Sequence, residues 1–107
     1  MITDPPKDPI LSRFRAAMNE VYGDRLERVV LFGSRARGDH RPDSDYDIAV
    51  FIRNPEGLAQ ELDRLADVTL SILDDTGAVI SAKPFEAGAW HERTGFMAEL
   101  RREGLDL

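Results

Sequence analysis

The chain has no cysteine. That excludes disulfides, thiolate nucleophiles and cysteine-ligated zinc, and it fits a reducing compartment. No run of about 18 apolar residues occurs, so no membrane-spanning helix is expected. The opening MITDPPKDP lacks the charged-then-apolar pattern of a secretory signal; a cytoplasmic setting is the expectation that follows. Internal repeats and low-complexity tracts are missing too. The two histidines, His40 and His91, have no second ligand at metal-binding spacing and read as surface or loop residues. Positive charge is in the minority, with 14 Lys and Arg against 20 Asp and Glu, a net charge of −6. An acidic surface repels polyanions, so a nucleic acid is a poor candidate for the main partner.

What remains is enough for one small folded unit. The 107 residues are 42% hydrophobic, sufficient for a single core with little room for a second. Charge is uneven along the chain. Arginines gather at positions 13, 15, 25, 28, 35, 37 and 41, while most acids come later. A local basic patch for a small polyanion is therefore compatible with the acidic total.

Pro5 and Pro6 mark residues 1–8 as a flexible lead, with a single domain over 9–107. From Pro9 to about Tyr22, Ile10, Leu11, Phe14, Ala17, Met18 and Val21 recur at helical spacing, and Gly23 is a natural stop. Arg28 to Phe32 reads as a buried strand, Gly33 ends it, and Ser34 to Arg37 makes at most one helical turn. Asp45 to Ile52 reads as a second strand. Leu58 to about Leu73 is an amphipathic helix, with Glu61 and Asp63 assigned to its solvated face. Ala78 to Ala82 is a third strand ending near Pro84, followed by helix from about Glu86 to Glu103, interrupted near Thr94-Gly95. Trp90 is expected in the packing, and Leu105 and Leu107 either cap the core or stay exposed. This order predicts an α/β (α+β) fold, a small mixed sheet of three or more strands covered by helices.

The chemistry concentrates in GSRARGDHRPDSDYD, residues 33–47, with two glycines, three arginines and four aspartates. Gly33 and Gly38 have P-loop spacing, but Asp39 stands where the phosphate-binding lysine belongs. An EF-hand loop starting at Asp43 would need glycine and glutamate where Ile48 and Asn54 stand. Both motifs are excluded. Asp45 and Asp47 remain. On a strand, residues two apart share a face, so both carboxylates project together with Tyr46 opposite. Such a pair repels itself unless a cation lies between, and hard oxygen donors favour Mg²⁺ or Mn²⁺. Gly33 lets backbone amides approach a ligand closely, and the Ser34 hydroxyl adds a donor, which together suit phosphate oxygens. The plainer alternative is a solvated Asp-rich turn.

Gly33-Ser34, ten residues, then Asp45-Tyr46-Asp47 resembles the G-S-x₁₀-D-x-D signature of the DNA polymerase beta-like nucleotidyltransferase superfamily. The fuller run GSRARGDHRPDSDYDIAV is similar to its minimal branch, small nucleotidyltransferases paired with HEPN-domain proteins in toxin–antitoxin modules. The resemblance spans about residues 10–105. It implies a palm-like mixed-sheet fold and Mg²⁺-dependent transfer of a nucleoside monophosphate, AMP from ATP, to an acceptor hydroxyl, in the antitoxin branch a tyrosine of the partner. It further implies Gly33 and Ser34 at the β- and γ-phosphates and Asp45 and Asp47 as the catalytic metal ligands. Arg35, Arg37 and Ser44 complete the expected nucleotide-binding set, with surface ion pairs to Asp39 or Asp43 the alternative for the arginines.

Active members carry a third carboxylate on the strand beside the D-x-D strand. Here that strand reads AVISAKPF, without Asp or Glu; Ser81 or a neighbour takes the position, and Lys83 follows. Asp74, Asp75 and Glu86 are the nearest acids along the chain. Two further readings therefore stand beside the enzyme, a catalytically degenerate binding module and, more distantly, a small-molecule transferase of the aminoglycoside-modifying kind.

Overall fold

The computed structural model describes residues 8–107, so most of the expected N-terminal lead lies outside the described residues. Asp8 is described, and it starts the first helix. Its carboxylate accepts from the amides of Ile10 and Leu11 at 2.8 and 3.4 Å, an N-cap that satisfies otherwise unpaired donors. Helix α1 runs Pro9–Tyr22 and stops at Gly23, whose φ of 54° suits glycine. Strand β1 (Leu26–Phe32), the single turn α2 (Ser34–Arg37) and strand β2 (Tyr46–Ile52) follow. Next come helix α3 (Leu58–Thr76), strand β3 (Ile80–Glu86), a 3₁₀ turn (Ala87–His91), helix α4 (Gly95–Glu103) and a two-residue strand β4 (Leu105–Asp106).

The sheet order is β3-β2-β1-β4, with β1 antiparallel to both β2 and β4, and β2 parallel to β3. β2 is therefore central, and its alternation builds two cores at once. Ile48, Val50 and Ile52 pack with Leu11, Phe14 and Met18 of α1 and Leu65 and Ile72 of α3. Ala49 and Phe51 face the other way, against Val30, Ala89, Met97 and Leu100. Phe51 is fully buried, ringed by Phe85 and Trp90. Truncating it to alanine would cost about 3–5 kcal/mol through lost burial and the cavity left behind.

Two expectations are revised and two are sharpened. The third strand begins later than Ala78 and runs through Pro84 rather than ending there. The Val79 carbonyl accepts from the Tyr46 amide at 2.9 Å. Because backbone polar groups alternate in direction, Ser81, Lys83 and Phe85 present theirs to β2, and the Pro84 nitrogen faces the open edge. An edge strand tolerates a residue without an N–H there. Glu61 is not on a solvated face; it is 1% exposed. A fourth strand, not foreseen, lies along β1, and Leu105 and Leu107 pack against the core. The last helical region is two elements, because Thr94 turns out of helical geometry and caps α4 through the Met97 amide.

Candidate active site

The site forms where the end of β1 meets the start of β2. Phe32 and Asp47 are register partners, so the chain leaving β1 passes directly beside the Asp47 side chain. Gly33 makes that passage possible. Its φ is +75°, and a Cβ built there would stand 2.5 Å from Asp47 Oδ2, closer than nonbonded atoms approach. Ser34 follows, half-buried, and opens α2. The amides of Ala36 and Arg37 both donate to the Gly33 carbonyl at 3.1 Å. Those of Ser34 and Arg35 precede this first bond, as the leading amides of any helical turn do.

Asp45 is exposed just before β2, and Asp47 is half-buried one residue inside it. Tyr46, between them, turns to the opposite side of the sheet. Its hydroxyl donates to Asp8 Oδ2 at 2.8 Å, and the Arg35 guanidinium lies 3.9 Å over its ring. Burial first, then the Asp8 hydrogen bond, pushes the Tyr46 phenol up from its ordinary pKa. Arg35 also donates to the carbonyls of Ser44 and Pro42 at 3.0 and 3.1 Å. It thus clamps the loop that delivers the acid pair, and its polar hydrogens point into that loop. The Ser44 hydroxyl accepts from the Arg41 amide at 2.9 Å within the same loop. Arg37 is exposed, beside Asp39 at 3.3 Å and Glu103 at 4.0 Å.

The Asp47 carboxyl is raised above its ordinary value. Burial is the main cause, the Asp45 charge adds to it, and Lys83 and Arg37 oppose it only in part. No hydrogen bond is among these influences. A half-buried acid next to a second acid, without donors of its own, suits a cation. Two hard carboxylate ligands on one side of the strand fit one Mg²⁺ or Mn²⁺.

The donor set goes no further. Among the described residues, no third carboxylate, histidine or cysteine joins the pair. Across the parallel ladder Ser81 lies beside Asp47, and Lys83 beside Ala49. The neighbouring acids are engaged elsewhere or point away. Asp75 is bridged to Arg13 at 2.6 Å, the Glu86 carboxylate accepts from the Gly88 amide at 2.9 Å, and Asp74 is exposed on α3.

The structure thus brings Gly33, Ser34, Asp45 and Asp47 together, keeps Arg37 near Asp47, and turns Arg35 and Ser44 to the loop. Sequence reading missed Asp8 as the anchor of Tyr46, because only the folded chain brings residues 38 apart together. It also missed how close Lys83 lies to the acids. The parallel pairing of β2 with β3 sets that, and alternation alone does not give its register.

The comparisons with known proteins bear on the family and the fold. The family described as "Nucleotidyltransferase domain" matches residues 11–100. Two proteins of Methanocaldococcus jannaschii named as candidate protein adenylyltransferases are similar. One is 35% identical over 52 residues and the other 30% identical over 76. The matches cover 49% and 71% of this chain, and about half of the first relative's length (52%) and 70% of the second's. Among solved structures, a toxin–antitoxin with AMP-PNP matches with a TM-score of 0.61 at 15% identity, over 87% of this chain and 68% of that one. A candidate minimal nucleotidyltransferase matches with a TM-score of 0.60 at 24% identity, over 92% of both chains.

Proposed function

The chain belongs to the nucleotidyltransferase domain family, and from that premise we propose that it transfers AMP from ATP to a hydroxyl of a partner protein. The observation that carries the reading is the close approach of Gly33 to Asp47, which sets the Gly33-Ser34 turn directly against an acid pair without its own donors. The names of the Methanocaldococcus relatives support a protein acceptor, and the toxin–antitoxin neighbour with AMP-PNP supports ATP as donor and an antitoxin role. A helical HEPN-type protein is the partner this implies, and the cytoplasm is where both substrates would be met.

Each residue has a task in this reading. Gly33 and Ser34 receive the β- and γ-phosphates through backbone amides and the Ser34 hydroxyl. Arg37, exposed beside the acids and engaged only in surface ion pairs with Asp39 and Glu103, is the arginine that would exchange these for a phosphate; Arg35 and Ser44 shape the loop. Asp45 and Asp47 hold the divalent ion, which when bound offsets the triphosphate charge and steadies the leaving pyrophosphate. The acceptor hydroxyl gives up its proton to solvent and its oxygen forms its bond to the α-phosphorus as the α–β bridge opens and pyrophosphate leaves. The site is an open shelf, since Asp45 and Arg37 are exposed. A partner bearing the acceptor would close it and exclude water.

The missing third carboxylate favours a second reading, a module that binds nucleotide and partner without transfer. One experiment separates the two. The full chain, its co-encoded partner, Mg²⁺ and ATP labelled at the α-phosphate are incubated together. Label on the partner that disappears with Asp45→Asn establishes the transferase. Partner binding without label, unchanged in that variant, establishes the module.

A further inference from the structure

The strand that would carry a third acid instead carries a cation on the same face as the acids. Lys83 stands on β3 beside Ala49, and alternation puts it on the same side of the sheet as Asp47. Its ammonium lies 5.9 Å from the ring centre of Phe32. Phe32 belongs to β1, on the far side of β2, and is itself the register partner of Asp47. Neighbouring strands are about 4.8 Å apart, so a side chain rooted on β3 that approaches a β1 ring must lie across the face of β2. The small Ala49 leaves room for that crossing, and Phe96, 5.9 Å from the same ammonium and in edge contact with Phe32, supports it from α4. The ammonium thereby lies on the Ala49 side of Asp47, with Asp45 on the other side along the strand.

We propose that Lys83 supplies the positive charge that a second divalent ion would otherwise supply, making this a one-metal nucleotide site. This rests on the nucleotide reading above. A second ion at that place would lack a third carboxylate and would share the sheet face with an ammonium. Lys83 brings its charge with the fold, without a ligand set of its own. It lies where an acceptor oxygen approaching from the β3 side would be met by a cation.

The test counts ions. Mn²⁺ is titrated into the full chain with saturating AMP-PNP, and free Mn²⁺ is followed by its electron paramagnetic resonance signal. The wild type should take up one nucleotide-dependent ion per chain, Lys83→Arg one, and Lys83→Glu two, since the substitution replaces the cation by an acid on the same face, two register positions along from Asp47. Lys83 is exposed on an edge strand, and thermal melts check that each variant is folded. Two ions in the wild type, or one in a folded Lys83→Glu, overturn the proposal while leaving the nucleotide reading intact. Absence of AMP-PNP uptake with or without Mn²⁺ overturns that reading and the proposal with it.

Discussion

Glu61 and Asp47 are both carboxylates drawn into the fold, and the fold treats them in opposite ways. Glu61 is 1% exposed, yet it accepts from the Tyr22 hydroxyl at 2.9 Å, the Glu56 amide at 2.8 Å and Arg64 at 3.2 Å, with Arg25 at 3.5 Å. Burial pushes its pKa up, but the Glu56 amide, the Tyr22 hydroxyl and Arg64 together carry it below the ordinary value. Burial and the bonded Glu61 push Tyr22 strongly up in turn. Asp47 is less buried and has none of this, so its pKa rises. A satisfied acid ties elements together; here α3 is tied to the end of α1. An unsatisfied acid costs stability and is kept where something else is meant to satisfy it.

The largest effect tests the satisfied member. Glu61→Gln should lower stability by about 3 kcal/mol, because charged hydrogen bonds to Tyr22, Glu56 and two arginines are weakened together. Urea denaturation reads it directly. The deficit should also depend on pH. A lowered folded pKa gives stability that is fully present above the ordinary 4.5 and lost as pH falls through the folded value. Wild type and Glu61→Gln should therefore converge in acid.

Asp47→Asn should weaken nucleotide-dependent Mn²⁺ uptake more than about 100-fold, beyond the usual effect of disturbing a ligand's support. Gly33→Ala comes next. Its Cβ would collide with Asp47 Oδ2 on a left-handed backbone, so stability should fall by about 1–2 kcal/mol and ion uptake should fall with it. The smallest effect bears most directly on the comparison. Without metal, Asp47→Asn should stabilise the chain at neutral pH by about 0.5–1 kcal/mol. A destabilised Asp47→Asn would show that Asp47 is a structural acid like Glu61.

Much of this was legible in the residues. Apolar spacing placed α1 and α3, and the β-branched run placed β1, because local periodicity reports burial on one element at a time. The two-residue spacing of Asp45 and Asp47, and the glycine after an apolar strand, foretold an acid pair meeting a tight turn. The misses all depend on which neighbour an element acquires. Pro84 is harmless only because β3 is an edge, and nothing in ISAKPFE says that it is. Glu61 is buried because Tyr22, Arg25 and Arg64 converge on it from elsewhere in the chain. β4 is too short to show a pattern.

Tyr46 has the last consequence. The residue separating the two acids is bolted from the reverse side of the sheet by Asp8 and pressed by Arg35. The backbone that carries the acids is therefore fixed before anything binds, and arrival of a ligand has only side chains left to arrange. Capture should resemble a coin dropping into a slot rather than a hand closing, with an association rate set by diffusion and charge and nearly indifferent to solvent viscosity beyond that of the encounter itself.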